Sequence, residues 1–431
     1  MKAPTTLSLG LCLLLPSLTA AAATLTQITT PFGPNPRNVS FHIYVPDTLP
    51  DNPAILVNPH WCHGTAQATF AGTQWAALAR EHGFIVIYPG SPNAADQCWD
   101  VSSPETLTHD DGGGGGGGDS LGIVSMVRWT LDQYQGDKGR VFVTGVSSGG
   151  MMTQVLVGAY PDVFAAGAAF AGVPFGCFAP PAGDNGNAGQ FDYWSDDCAT
   201  GKVTHSAEAW GDLVRAAYPG YDGWRPKLQL FHGTVDEIVS YVNHGEAVKL
   251  WTDVSGLSET PVEVVQNTPL TGWTKSVYGP SGWLEAYSAA GVPHDIKVQE
   301  NTVMAFFDLN CTSNCFSWGQ GGPSSGGQPN PSSTFSTITS SVAPISTTSS
   351  STVVVPTTTS AAACPTSTIP GAQKPWGQCG GRGYSGPTVC SVGVCTRYSD
   401  YFSQVKSSHH LLVTQGTSHV LNDTWRAVIT N

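Results

Sequence analysis

Five short apolar runs, separated by segments with helical periodicity, constrain the fold of this chain more than any other feature. A continuous apolar run bounded by polar, Gly or Pro residues is typical of a strand buried on both faces of a parallel sheet. Alternation with helices predicts an α/β fold between residues 24 and 310. The predicted strands are residues 54–61, 84–90, 140–147, 165–172 and 228–233, and the predicted crossover helices are residues 73–83, 120–131 and 149–161.

A Ser/Thr/Pro-rich tract divides the chain into two folded parts. Residues 317–363 cannot bury a core and are predicted to form an extended, O-glycosylated linker after a domain of residues 24–316. The segment 364–404, rich in Cys, Gly and aromatic residues, is too small to fold without disulfides. Residues 405–431 match no pattern.

The N-terminus has the features of a secretory signal peptide. Lys2 precedes an apolar run, which Pro16 interrupts and which is too short to span a membrane. The small residues 20–23 provide a cleavage site, so residues 1–23 are expected to be removed. Loss of Cys12 leaves ten of the eleven cysteines, an even number that suits an oxidising compartment. We expect a secreted, extracellular protein with no membrane partner.

Charge and acceptor sequences indicate which partners and modifications to expect. The chain has 18 Lys and Arg against 31 Asp and Glu, a formal net charge of −13. No basic stripe is available to neutralise phosphates, so we expect no nucleic-acid partner. Asn38 and Asn310 each begin an Asn-x-Ser/Thr glycosylation acceptor. The expected oligomeric state is a monomer.

The sequence GVSSG contains two adjacent serines at the end of the third apolar run. Gly145 and Gly149 flank Ser147 in the frame G-x-S-x-G, whereas the same frame on Ser148 would require glycine where Val146 stands. A nucleophile on a strand-to-helix turn needs small neighbours, and the following helix directs N–H groups toward a developing oxyanion. Ser147 is therefore the predicted nucleophile, and a glycine-rich turn without catalytic function is the alternative.

A nucleophilic serine requires a base and an orienting acid, which follow it in the order Asp, His at a strand–turn–helix site of this kind. Asp236 comes directly after the run 228–233, and His294 lies in a loop near the end of the domain. Two alternatives are His244, eight residues after Asp236, and Asp295, which adjoins His294. Chain order and the strand-end position favour Asp236 and His294.

The loop of residues 57–67, after the first run, is expected to complete an oxyanion hole. The predicted donors are the backbone amide of Ser148 and that of Cys62 or its neighbour. His60, Cys62 and His63 could instead form a zinc cluster, but no complementary ligand pair at metal spacing occurs elsewhere in the sequence. We therefore predict no metal site.

Five blocks of the α/β domain carry a recognisable pattern. They are HWCHGTAQATFAGTQWAALA, GFIVIYPGSPNAADQCWDVSSPETLTH, GVSSGGMMTQVLVGAYPDVFAAGAAFAGVPFGCF, HGTVDEIVSY and YSAAGVPHDI. Together they resemble the fungal acetylxylan esterases of carbohydrate esterase family 1 over about residues 24–310. The resemblance implies an α/β-hydrolase fold, acetylated xylan as substrate, and no cofactor. It assigns the nucleophile to Ser147, the acid to Asp236, the base to His294 and one oxyanion-hole amide to Cys62.

Other functions remain open on the same scaffold. Feruloyl esterases and polyester depolymerases are enzymatic alternatives, and a non-catalytic cell-wall or cellulose-binding protein is an alternative of another class. The intact Ser/Asp/His set argues against the last.

Three features depart from the family pattern: His63 after Cys62, an extended loop at 179–197, and a long glycine run at 112–118. That run lacks the Gly-Lys-Ser/Thr ending of a phosphate loop and is interpreted as a flexible surface loop.

Disulfide connectivity does not follow from sequence alone. Our expected pairs are Cys62–Cys98, Cys177–Cys198 and Cys311–Cys315.

The segment WGQCGGRGYSGPTVCSVGVCTRYSDYFSQ resembles the fungal family 1 carbohydrate-binding module. The resemblance implies a small β-type module, stapled by disulfides, that binds a cellulose surface. Trp376, Tyr401 and Phe402 would present a flat row of rings to glucose units, and Gln404 would hydrogen-bond at the edge of the row.

The end of this module departs from the family pattern. The family ends YSQC, whereas Val405 occupies the position of the last cysteine and leaves Cys390 without its usual partner. We expect residues 405–431 to derive from a retained intron, and a transcript encoding Cys directly after Gln404 would establish this. If the printed sequence is the expressed one, Cys364 is available to pair with Cys390.

Overall fold

The computed structural model describes residues 23–112, 117–180 and 194–322, together with the backbone of three short segments within 378–406. Residues 1–22 of the predicted signal peptide, residues 323–363 of the predicted linker and residues 407–431 of the tail lie outside the described residues. So do Cys364, Trp376, Cys390, Tyr401 and Phe402.

A mixed sheet of ten strands forms the centre of the described α/β domain. In chain order the strands are β1 (Thr26–Ile28), β2 (Ser40–Tyr44), β3 (Ile55–Val57), β4 (Ile85–Gly90), β5 (Val141–Val146), β6 (Ala166–Phe170), β7 (Lys227–Gly233), β8 (Glu263–Gln266), β9 (Trp273–Tyr278) and β10 (Leu284–Ala289). Their order across the sheet is β1-β2-β4-β3-β5-β6-β7-β10-β9-β8. The strands from β4 to β10 in that order are parallel, and the outer pairs at both edges are antiparallel. Each predicted run overlaps one of the parallel strands, which confirms the α/β class.

Helices cover both faces of this sheet. They are α1 (Ala66–Gly72), α2 (Trp75–His82), α3 (Pro104–Leu107), α4 (Asp119–Tyr134), α5 (Ser148–Ala159), α6 (Asp196–Ala199), α7 (Ala207–Ala217), α8 (Val242–Val254) and α9 (Glu300–Phe307). The predicted crossovers are α2, α4 and α5. Residues of α4, α5, α7 and α8 pack in one apolar cluster, and residues of α2 and α9 pack in the other.

Neighbouring residues of the central strands contribute to opposite faces of the sheet. In β5, Val141 and Val143 belong to the first cluster and Phe142 to the second, and β3 divides in the same way. Because both faces are covered, such a strand is buried and apolar at most positions, although β7 also carries the buried polar residues Gln229 and His232. β10 escaped prediction because it carries a buried carboxylate, Glu285, which accepts hydrogen bonds from Gln229 (2.7 Å) and Tyr287 (2.8 Å).

The three expected disulfides, Cys62–Cys98, Cys177–Cys198 and Cys311–Cys315, are confirmed.

The interpretation of the glycine run as a surface loop is wrong at its C-terminal end. Gly117 and Gly118 are buried, and a Cβ atom on Gly118 would lie 2.8 Å from the backbone nitrogen of Thr106. Because Gly118 has no Cβ atom, the start of α4 can pack directly against α3. Gly117 and Gly118 are therefore needed for packing. Within the described part of the chain, no helix combines the length and apolar character needed to cross a membrane.

The C-terminal segments form a separate three-stranded antiparallel sheet. Its strands are β11 (Gln378–Gly380), β12 (Val394–Arg397) and β13 (Ser403–Lys406), in the order β11-β13-β12. Gln404 is opposite both Gln378 and Thr396 in register, and Val405 is opposite Cys395. The small sheet is the expected β-type architecture, and its central strand includes the first two residues after position 404.

Candidate active site

Ser147 occupies a sharp turn between β5 and α5. Its backbone lies at φ 56° and ψ −122°, a region that residues other than glycine rarely adopt. The flanking glycines make this turn sterically possible. A Cβ atom on Gly145 would lie 2.5 Å from the carbonyl group of Gly149, and one on Gly149 would collide with the carbonyl oxygen of Pro59. The G-x-S-x-G frame is therefore a requirement of close backbone packing.

A chain of hydrogen bonds connects Ser147 with the two other predicted residues. The Oγ of Ser147 lies 2.9 Å from Nε2 of His294, and Nδ1 of His294 lies 2.8 Å from Oδ2 of Asp236. Asp236 follows the C-terminal end of β7 and His294 follows that of β10. Parallel strands bring their carboxyl ends to one edge of the sheet, which explains how residues 147 positions apart in sequence meet there.

The carboxylate of Asp236 is fully buried and saturated with donors. Oδ1 accepts hydrogen bonds from the amides of Ile238 (2.9 Å) and Val239 (2.8 Å), and Nε2 of His232 approaches Oδ2 at 3.1 Å. Burial raises the pKa of Asp236, but the hydrogen bonds from His232 and His294 outweigh it and hold the pKa well below its usual range. The group is therefore an anion at every pH at which the protein would work.

The loop that carries His294 is attached to the loop that carries Asp236. Glu237 accepts a hydrogen bond from the amide of His294 at 3.1 Å, and Thr234 Oγ1 accepts one from the amide of Gly291 at 2.9 Å. The amide of Val235 donates to the carbonyl of Val292 at 3.2 Å. These bonds hold the imidazole in position independently of its own side-chain contacts.

The segments with the two predicted oxyanion-hole amides, Cys62 and Ser148, are joined through Trp99. The amide of Trp99 donates to Oγ of Ser148 at 2.7 Å, and its indole Nε1 donates to the carbonyl of His60 at 2.7 Å. The disulfide between Cys62 and Cys98 also connects these segments, because Cys98 directly precedes Trp99. Ser148 is the first residue of α5, where backbone amides lack intrahelical acceptors and remain available to a ligand. Its hydroxyl is buried and already engaged.

The side chains of the alternative zinc cluster do not have the form of metal ligands. The sulfur of Cys62 is in a disulfide, and both ring nitrogens of His60 are used: Nδ1 donates to the carbonyl of Trp61 (2.8 Å) and Nε2 accepts from the amide of Ser91 (3.1 Å). Burial lowers the pKa of His60 to about 4, so its ring is neutral. His63 adopts a positive φ of 61°, and its amide donates to the carbonyl of Asp96.

One other group of described residues has metal-ligand spacing: Asp308, Cys311 and Cys315. Its two cysteines are joined to each other, which removes both thiolates.

His244, the alternative base, lies in α8 and packs against the ring of Tyr241 at 5.3 Å. Burial lowers the pKa of His244 to about 3. His294, and not His244, contacts Ser147.

A small cavity of about 20 Å³ adjoins the oxyanion-hole segments. Phe178 and Trp194 form one wall, with ring centroids 4.8 Å apart, and Trp194 is 38% exposed. The other lining residues are Cys62, Asp96, Cys98, Trp99, Val101, Ser148 and Met151. Sequence reasoning missed Phe178, Trp194, Trp99 and His232 as site residues. Only His232, four positions before Asp236, has a sequence position that could have pointed to the site.

Known protein families match both folded parts of the chain. The family described as esterase PHB depolymerase matches residues 39–186, and the fungal cellulose binding domain matches residues 375–402. Acetylxylan esterase A of Emericella nidulans is 45% identical over 284 residues, which cover 66% of this chain and 88% of that protein. Feruloyl esterase B of Thermothelomyces thermophilus is 44% identical over 291 residues, covering 68% of this chain and 95% of that protein.

The solved structures include a similar chain. The acetyl xylan esterase from Aspergillus awamori superposes with a TM-score of 0.62 at 41% identity, covering 66% of this chain and 99% of that one. The α/β domain therefore has the α/β-hydrolase fold of an esterase.

Proposed function

The chain belongs to the fungal acetylxylan esterase family, and from this premise we propose that it is a secreted serine esterase that hydrolyses O-acetyl groups on the xylose units of xylan. The hydrogen-bonded series Ser147, His294 and Asp236 is the observation that carries the proposal. It contains a nucleophile, a base within reach of the nucleophile's proton, and an anion that orients the base.

The proposed reaction is a two-step acyl transfer that needs no cofactor. Nε2 of His294 takes the hydroxyl proton as Oγ of Ser147 bonds to the acetyl carbonyl carbon, whose oxygen becomes an oxyanion at the amides of Cys62 and Ser148. The C–O bond to xylan breaks as His294 returns the proton to the leaving hydroxyl. Water then attacks the acetyl-serine, His294 again moves the proton, and acetate leaves. Asp236 remains ionised and stabilises the imidazolium in both steps.

The cavity is lined by Ser148, the neighbour of the nucleophile, and not by Ser147 or His294 themselves; we propose that it receives the acyl group. A volume of about 20 Å³ suits a group of about the size of one water molecule or a methyl, and not a feruloyl ring. The rings of Phe178 and Trp194 limit this volume on one side. Feruloyl ester hydrolysis is the second candidate, because a relative named feruloyl esterase B is 44% identical to this chain.

Acyl-group selection is the first prediction. The protein should release acetate from acetylated xylan at least about 100-fold faster, in kcat/KM, than ferulate from methyl ferulate. Trp194→Gly removes a wall of the cavity and should raise the ferulate-to-acetate ratio by about tenfold. Trp194→Phe, which keeps a ring in place, is the matched control. Faster release of ferulate than of acetate by the unaltered protein would make the second candidate correct.

We also propose how the parts of the chain act together. Residues 24–316 are the catalytic domain, residues 317–363 tether it, and residues 364–404 bind cellulose, which brings a monomeric enzyme to the plant cell wall. The match to the fungal cellulose binding domain supports this arrangement. Asn38 and Asn310 are exposed in the described structure, which supports their use as glycosylation sites. Secretion through residues 1–23 brings the enzyme outside the cell.

Cellulose binding is the second prediction. The full chain should sediment with microcrystalline cellulose, and Trp376→Ala or Tyr401→Ala should reduce the bound fraction about tenfold, because each removes one stacking ring. Hydrolysis of soluble p-nitrophenyl acetate serves as the control and should not change. Val405→Cys restores a cysteine at the position of the last one in the module and should tighten binding. If the unaltered chain and the Trp376→Ala and Tyr401→Ala variants sediment equally with cellulose, the proposal that these rings bind cellulose is wrong.

A further inference from the structure

His232 is a buried histidine in contact with the acid of the proposed catalytic series. It is the penultimate residue of β7, and its side chain is 2% exposed. Nε2 lies 2.9 Å from the carbonyl oxygen of Val239 and 3.1 Å from Oδ2 of Asp236. Because a carbonyl oxygen only accepts, Nε2 must carry a hydrogen. The ring therefore donates toward Val239 and shares this donor with Asp236.

His232 approaches Oδ2 of Asp236, the same oxygen that is hydrogen-bonded to the proposed base, His294. Oδ2 of Asp236 receives both His232 and His294, whereas Oδ1 receives two backbone amides. The Asp236 side chain is 0% exposed, so water does not compete for this oxygen. A second donor on Oδ2 draws charge from the atom that must stabilise protonated His294, and it also fixes the rotation of the carboxylate.

Other titratable groups surround these three side chains. The rings of Tyr241 and His244, at the start of α8, face the ring of His232 at 5.9 Å each. Glu237 accepts from the amide of His294, and Asp295 follows that histidine in the chain. All four groups remain when position 232 is changed, so a comparison of variants at that position isolates the donor on Oδ2.

We propose that His232 is a positioning residue that holds Oδ2 of Asp236 for His294 and sets the acidic limit of the esterase reaction. Without its donor, Asp236 would stabilise protonated His294 more strongly, and the base would be neutral only at higher pH. The inference rests on the proposed role of His294 as base, and it does not depend on the identity of the ester.

Two substitutions test this proposal. The side-chain amide of His232→Gln can place a nitrogen donor where Nε2 lies, whereas His232→Leu removes the donor. The acidic limb of kcat/KM for p-nitrophenyl acetate should move to higher pH by about one unit in the leucine variant. The plateau rate of that variant should fall about tenfold, because the amides of Ile238 and Val239 still hold Oδ1 but Oδ2 loses its second donor. The glutamine variant should stay near the unaltered protein in both respects.

Labelling of Ser147 by a fluorophosphonate, measured over the same pH range, provides a second readout that needs no ester substrate. Its acidic limb should move in the same direction in His232→Leu. If the leucine variant does not fold, as judged by its thermal transition, His232→Asn replaces it, since that shorter amide ends before Oδ2. An unchanged acidic limb in a folded donor-free variant, or an equal shift in the glutamine variant, would overturn the proposal. Normal labelling without acetate release from xylan would instead count against the proposed function.

Discussion

Ser147→Ala is expected to lower kcat for ester hydrolysis by about 10⁶-fold while the fold is retained. Among the described side chains, Oγ of Ser147 has His294 as its hydrogen-bond partner, and removing it leaves no buried donor without an acceptor. The backbone at φ 56° strains alanine no more than serine, so the substitution should not alter the turn. Burst-free kinetics with p-nitrophenyl acetate and an unchanged thermal transition would be the expected result.

Ser148→Ala is the matched control, because the two serines are neighbours with opposite roles. The hydroxyl of Ser148 accepts the amide of Trp99 in a buried position, so its loss should lower the free energy of unfolding by about 1–3 kcal/mol. The nucleophile and the amide of residue 148 remain, and kcat should stay within about tenfold of the unaltered protein. A fully active Ser147→Ala, or a folded but inactive Ser148→Ala, would show that the wrong serine has been chosen.

Asp236→Asn has the second largest expected effect, a decrease in kcat of about 10⁴-fold. The amides of Ile238 and Val239 both donate to Oδ1, so they will keep the oxygen of the new carboxamide on their side. Its NH₂ group must then face Nδ1 of His294. That contact forces the tautomer in which Nε2 carries the hydrogen, and such a ring cannot take the proton of Ser147.

The same substitution should change how stability depends on pH. The pKa of Asp236 is lower in the folded protein than in the unfolded chain, so the ionised carboxylate stabilises the fold above the unfolded-state pKa. That contribution is lost as the pH falls through the folded-state pKa. The asparagine variant should therefore be less stable than the unaltered protein at pH 7, with a difference that shrinks toward low pH. Thermal unfolding across this range measures it.

Asp295→Asn is the control for Asp236→Asn, because Asp295 is exposed and adjoins His294. Its kcat should remain within about threefold of the unaltered protein, since Asp236 already occupies the acid position at Nδ1 of His294 and a surface carboxylate has a weaker effect on the base. Loss of activity in the Asp295 variant together with retention in the Asp236 variant would assign the acid to the other residue.

The amino-acid sequence alone determined those features that arise locally. Strands β3 to β7 were predictable because strands covered on both faces are apolar at most positions. The turn at Ser147 was predictable because Gly145 and Gly149 flank it in a short sequence frame, although the carbonyl of Pro59 that excludes a Cβ atom on Gly149 comes from a distant loop. The expected pairs Cys62–Cys98, Cys177–Cys198 and Cys311–Cys315, separated by 36, 21 and 4 residues, are also present, although spacing alone does not fix connectivity.

The tertiary structure alone decided the features that depend on contacts between residues far apart in sequence. β10 carries the buried carboxylate Glu285, which interrupts the apolar pattern, and one of its partners, Gln229, is 56 residues away on a neighbouring strand. The hydrogen bond from the amide of Trp99 to Oγ of Ser148 joins residues 49 positions apart. The cavity that Phe178 and Trp194 line also includes residues from three other parts of the chain. His232 is near Asp236 in sequence, but the turn after β7 is what aims its ring at the carboxylate. Side-chain direction and long-range pairing are set by the sheet as a whole, and neither is encoded in the spacing of residues along one segment.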